Sequence, residues 1–300
     1  MAAGLAYASP LRAVDRVDVL TRSPTIRLRA VKTVTATDPY MAGHFPGRPM
    51  LPAVFLLEGL RQAVAEAVPA DRPPELLEVR SARLLAPMLG GEEIVLEVSL
   101  EPVGRAWLAV ARCRRGDGTP VARLAVLLGD PAPAGVSPPP PPPATGSPVL
   151  DHAAVRALLP VRHPMLLVDR VVGGVPGRWI ESVKSVTGAE PCYRGLAEGL
   201  PADAYAFPRS LALESFGQTS ALLWLGGDHG GPDGLLMLAA IRDCRFTGAA
   251  FPGDQLRHIA RLDHMVGPNA FLHGEIWAGD RQLATVGSLI AVSRPVSAGT

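Results

Sequence analysis

Two long apolar segments stand out along the chain. Residues 53–67 and 209–225 carry hydrophobic positions at helical spacing, and each predicts a helix of about four turns. The second, ending SALLWL, runs into the glycine-rich GGDHGG at 226–231, a strong helix stop. Downstream of each helix come runs rich in Val, Ile, Leu and Ala that alternate with polar residues. EEIVLEVSL (92–100) and WLAVARCRR (107–115) follow the first; LHGEIWAG (272–279) and QLATVGSLIAVSR (282–294) follow the second. Period-two alternation predicts strands with one buried face. One long helix followed by antiparallel strands, twice over, predicts an α+β architecture in which each sheet wraps around a central helix.

The two copies are separated by PAPAGVSPPPPPPATGSP, residues 131–148. Consecutive prolines at 138–143 favour extended polyproline II and leave little to bury, so the segment is read as a semi-rigid linker. It divides the chain into residues 1–130 and 149–300. SPLRAVDRV (9–17) aligns with HPMLLVDRV (163–171), HFPGRPMLPAVFLLEGLRQ (44–62) with LPADAYAFPRSLALESFGQ (200–218), and RLLAPMLGGE (83–92) with RFTGAAFPGD (245–254). Three collinear matches with offsets of 154, 156 and 162 indicate an internal duplication.

Composition narrows the function classes. The chain has 300 residues, enough for two domains, and is 48% hydrophobic. Basic residues (29) nearly balance acidic ones (28), which argues against nucleic-acid binding through a general basic field. Lys32 and Lys184 are the only lysines and Asn269 the only asparagine, a bias of GC-rich, bacterial coding. Cys113, Cys192 and Cys244 are far apart and form no CxxC, against a disulfide scaffold or a structural zinc site, so a reduced, cytoplasmic chain is expected. Residues 1–15 lack a secretory pattern, and no uncharged apolar run reaches the ~20 residues that span a bilayer.

Glu214 is the candidate for chemistry on physical grounds. It is the only charged residue from Ser210 to Gly227. A carboxylate in an apolar helix is costly unless paired, protonated or used, and burial favours its protonated, proton-donating form. A carboxyl at a solvent-facing helix edge fits the same pattern equally well. Gln218, four residues on, shares its helix face and is placed to orient it. Glu58 and Gln62 repeat the arrangement in the first half. The halves differ upstream: His44 lies fourteen residues before Glu58, and Leu200 fourteen before Glu214. The chain therefore holds two matching glutamates and one matching histidine.

TDPYMAGHFPGRPMLPAVFLLEGLRQA (37–63), LLPVRHPMLLVDRV (158–171) and FTGAAFPGDQL (246–256) resemble the signature segments of the FabZ/FabA-type β-hydroxyacyl-ACP dehydratases. The matches cover most of both halves outside the linker. The resemblance implies a hotdog fold, here a double hotdog packed as an intrachain pseudo-dimer similar to polyketide synthase dehydratase domains. It implies a catalytic dyad of His44 from one hotdog (base) and Glu214 from the other (acid). Gln218 supports the acid, Gly47 shapes the turn that presents His44, and Pro52–Ala53 lead into the helix whose N–H groups face the thioester. Ala53 and Arg209 stand where the family usually has glycine. The reciprocal pair, Leu200 and Glu58, forms a degenerate site walled by Tyr205 and Phe207.

The implied reaction removes water from a (3R)-hydroxyacyl thioester on an acyl carrier protein, giving a 2-enoyl thioester in polyketide or fatty-acid synthesis. No metal or cofactor is implied beyond the carrier's phosphopantetheine, and the assembly is a monomeric pseudo-dimer or a homodimer, with no membrane or nucleic-acid partner. Two alternatives remain: a dehydratase that also isomerises the double bond, and a non-catalytic hotdog scaffold that holds an acyl carrier. The remaining histidines (152, 163, 229, 258, 264 and 273) show no ligand spacing and are read as surface or satisfied core.

Overall fold

A computed structural model describes residues 6–68, 72–131, 138–141, 150–226 and 235–294. The first half contributes β1 (Arg16–Thr21), β2 (Ile26–Thr33), α1 (Phe55–Ala67), β3 (Glu75–Leu84), β4 (Glu93–Val103), β5 (Ala106–Arg115) and β6 (Pro120–Gly129). The second contributes α2 (His152–Leu158), β7 (Arg170–Val175), β8 (Trp179–Ser185), α3 (Arg209–Leu225), β9 (Leu235–Phe246), β10 (Gln255–Val266), β11 (Asn269–Ala278) and β12 (Arg281–Arg294). The helices predicted over 53–67 and 209–225 are α1 and α3, with α1 starting two residues late. The strand predictions correspond to β4, β5, β11 and β12. The short α2, capped by the Asp151 carboxylate accepting from the Ala154 N–H, was not predicted.

All strands join one antiparallel sheet in the order β1-β2-β4-β5-β6-β3-β9-β12-β11-β10-β8-β7. Read from either end the connectivity is the same, so the duplication becomes a pseudo-two-fold centred on the β3–β9 pairing. There Val79 faces Cys244, Ala82 faces Ile241, and Arg245 Nε donates to Glu78 at 2.9 Å. Each half-sheet curls around its own helix: α1 packs on β1, β2, β3 and β6, and α3 on β8, β9, β10 and β11.

The repeat is reproduced bond for bond. In the first half Gln62 Nε2 donates to Leu11 O (2.9 Å) while its Oε1 accepts from Ala13 N–H (2.8 Å). In the second, Gln218 Nε2 donates to Met165 O (2.7 Å) and its Oε1 accepts from Leu167 N–H (2.8 Å). Asp15 and Asp169 cap the next strand alike, accepting from Thr33 N–H and Ser185 N–H, each at 2.7 Å. The two lysines also correspond. Lys32 pairs with Asp38 at 2.8 Å and Lys184 with Glu190, and both ammonium stems are buried.

Of the linker, only residues 131 and 138–141 are described; Arg257 Nη2 donates to Pro141 O at 2.9 Å. The rest of it, like most of the 226–231 stop, lies outside the described residues, although Gly226 caps α3. Cys113, Cys192 and Cys244 are buried free thiols, pushed up in pKa chiefly by burial. Among the described residues no helix is long and apolar enough to cross a membrane.

Candidate active site

His44 is presented by a compact turn. Phe45 and Arg48 close a four-residue turn in which Pro46 fixes φ and Gly47 adopts φ +78°, the left-handed region a type II turn requires at that place. Met50 N–H returns to His44 O (2.8 Å) and Leu51 N–H bonds Met88 O (2.8 Å), tying the loop to the β3–β4 connection. The His44 ring lies 2.9 Å through Nδ1 from Met50 O. A carbonyl only accepts, so Nδ1 carries the proton and Nε2 of the neutral ring keeps its lone pair.

The other half braces this loop. Arg162 N–H donates to Gly43 O at 2.9 Å, and a Cβ on Gly43 would lie 2.0 Å from Arg162 O. Only glycine permits that approach. Gly43 was not singled out from the sequence, although its place directly before His44 is a usable signal.

Glu214 sits in the first turns of α3. It is half-buried, between the enclosed carboxyl and the solvent-edge carboxyl that its pattern fitted equally, because one side of α3 faces a cavity. Gln218 Nε2 donates to Glu214 Oε1 at 3.0 Å. Its carbonyl is committed to Leu167 N–H and its other N–H to Met165 O, so the amide has a single orientation. Beneath Glu214, Ser215 Oγ donates to Leu167 O (2.7 Å) and meets His258 Nε2 at 2.8 Å.

His44 and Glu214, from different halves, open on one cavity of about 430 Å³, within the range of small-molecule sites. Ala53, Gln218 and Arg48 also line it, and its remaining walls are mostly apolar, from Leu84–Met88, α3 and β9. Gly47 and Pro52 shape the loop without lining the cavity.

The reciprocal position has closed to about 20 Å³, room for roughly one water. The Glu58 carboxylate accepts from Arg61 Nη1 (3.1 Å), Gln62 Nε2 (3.1 Å) and Ser9 Oγ (3.3 Å), and is 3% exposed. Arg61 also donates to Glu75 at 2.6 Å and lies 4.2 Å from the Tyr7 ring centroid. Burial acts to lower the Arg61 pKa, but the Glu58 and Glu75 carboxylates outweigh it and raise the net value. Burial raises Tyr7 to about 12. Arg209 enters the same space and donates to Leu76 O at 2.6 Å. Burial lowers its pKa against the opposing pull of Glu75.

Arg209 therefore fills the closed site and does not border the open one. Phe207 lines the closed site as expected. Tyr205 does not; it packs beside Tyr193, ring centroids 6.5 Å apart. Leu200 is half-buried and borders neither cavity. Sequence reasoning missed Arg61, Glu75 and Tyr7. The signal available was the aligned pair Arg61 and Gly217, an exchange of the largest cation for no side chain.

Known proteins resemble the chain on both counts. A FabA-like domain is recognised over residues 5–75. The 3-hydroxyacyl-[acyl-carrier-protein] dehydratase FabZ of Nitratidesulfovibrio vulgaris (strain DP4) is 37% identical over 115 residues, 38% of this chain and 72% of the relative. That of Actinobacillus pleuropneumoniae serotype 5b (strain L20) is 37% identical over 110 residues, covering 36% and 68%. In structure, a trans-AT polyketide synthase dehydratase domain from Brevibacillus brevis superposes with TM-score 0.67 at 12% identity, over 97% of this chain and 100% of its own. The dehydratase domain of RzxB from Pseudomonas fluorescens does so with TM-score 0.64 at 14% identity, over 94% and 98%. The chain belongs to the 3-hydroxyacyl-[acyl-carrier-protein] dehydratase family. Its fold is the double hotdog of the polyketide synthase dehydratase domains.

Proposed function

We propose that the chain dehydrates a (3R)-3-hydroxyacyl thioester, carried on the phosphopantetheine of an acyl carrier protein, at one site built from His44 and Glu214. The observation that carries this reading is the shared cavity: one imidazole and one carboxyl, each held by its own hydrogen bond, open on the same apolar space. His44 Nε2 takes the α-proton, and the C–H electrons form the C2=C3 bond. The C3–O bond breaks as Glu214, protonated at the start, gives its proton to the departing hydroxyl, which leaves as water. The proton left on Nε2 is returned through solvent to Glu214. The N–H of Ala53, which directly precedes the α1 N-cap Val54 and borders the cavity, polarises the thioester carbonyl.

On this reading residues 1–130 supply the base, residues 149–300 the acid, and the 131–148 linker joins them in a bacterial, cytoplasmic enzyme. Intact-mass analysis of 3-hydroxyacyl carrier proteins tests it. The protein should lower the substrate mass by one water, and His44→Ala should not while keeping the wild-type circular dichroism. Unchanged turnover in His44→Ala, or no water loss by the wild type at any chain length, contradicts the proposal.

A further inference from the structure

Gly217 sits in the middle of α3, where glycine destabilises a helix relative to alanine. Packing does not require it. A Cβ there would meet only Leu289 Cδ1, at 4.0 Å. By contrast Gly59, near the same height on α1, would bring its Cβ to 3.2 Å from Ala13 O. The missing side chain at 217 instead opens on the cavity. At the equivalent position of the closed site stands Arg61, and at the equivalent of Ala53 stands Arg209. Both small residues of the open site are thus arginines in the filled one.

We infer that Gly217 is the specificity-determining position for the acyl tail: it keeps open an apolar channel along α3 that accepts a long, unbranched hydrocarbon chain beyond the reacting carbons. This deepens the proposed function and rests on it for the position of the reacting carbons. From Glu214 the cavity follows one helix face through Gly217, Ala221 and Leu225. Eleven residues of helix span ~16 Å. An extended chain advances ~1.2 Å per bond, so this length holds a tail of about thirteen carbons. Beyond Gln218 that face bears no polar side chain, and Leu236, Leu289 and Val292 close the channel around it. An apolar lining leaves a hydroxylated or charged tail without partners. Gly217 lies ~4.5 Å along the axis from Glu214, about four bonds into the tail.

The test compares 3-hydroxybutyryl- and 3-hydroxydecanoyl-pantetheine by calorimetric binding, and the corresponding carrier proteins by turnover. Wild type should bind and process the decanoyl form at least as well as the butyryl form. Gly217→Leu, a better helix former, should keep the butyryl form and lose the decanoyl form by about tenfold or more in both measurements. Ala221→Leu, one turn further on and about nine bonds into the tail, should keep 3-hydroxydecanoyl and reject 3-hydroxytetradecanoyl. Equal effects on all chain lengths, or none, overturn the assignment. Length-selective binding without water loss by the wild type would uphold the channel and refute the dehydratase reading instead, which keeps the two failures apart.

Discussion

Two residues with matching backbone partners separate structure from chemistry. Gln62 and Gln218 make the same pair of backbone bonds, to Leu11 and Ala13 or to Met165 and Leu167, and each donates to the glutamate one turn back. Only Gln218 orients a carboxyl that faces the open cavity. Replacing either glutamine by leucine strands buried partners and should cost about 1–3 kcal/mol in urea denaturation. Only Gln218→Leu should lower kcat, with KM less affected. The sequence made both glutamines legible because an i, i+4 spacing is local. It left Arg61, Glu75 and Tyr7 invisible as a group, since their meeting depends on how a tail, a helix and a strand converge.

At the level of elements, periodicity located α1 and α3 to within two residues because their faces are set by burial alone. The polar underside of α3 was less readable. His258 on β10 is fully buried, with Nε2 on Ser215 Oγ and Nδ1 without a partner among the described residues. It is thus less satisfied than the core histidine expected. Ser215 gives its one proton to Leu167 O, so His258 donates through Nε2–H. Burial, helped by Lys184, lowers its pKa to about 3. Between there and the ordinary value of ~6.5 the unfolded chain binds a proton the folded chain does not. Stability should therefore fall as pH drops through that window, by up to ~1.4 kcal/mol per pH unit from this residue. His258→Gln should show a shallower loss between pH 6 and pH 4 in urea titrations. Parallel wild-type and variant curves would contradict this seating of α3.

Across the whole molecule, the duplication gives two equivalent positions, of which one opens on a cavity and the other is filled. That position 200 is leucine, not histidine, was legible from alignment, and so was a closed space there; the filling was not, since Tyr205 packs elsewhere and Arg61 and Arg209 enter from opposite halves beside Phe207. Placing Leu200→His in the His44→Ala background should accordingly restore no water loss. Recovery there would mean the second channel is still passable. The continuous β3–β9 pairing predicts that a chain cut within the linker stays associated in native mass spectrometry. Separation of the halves would deny the sheet its role in holding the site together. The most direct test of a single working site is the water-loss kcat of Glu214→Gln beside that of Glu58→Gln. Glu214→Gln should fall ~10²–10⁴-fold with its melting temperature preserved. Glu58→Gln should melt earlier, its network with Arg61 and Ser9 weakened, yet turn over near the wild-type rate. Equal loss of kcat in both, or loss in Glu58→Gln alone, would contradict the account.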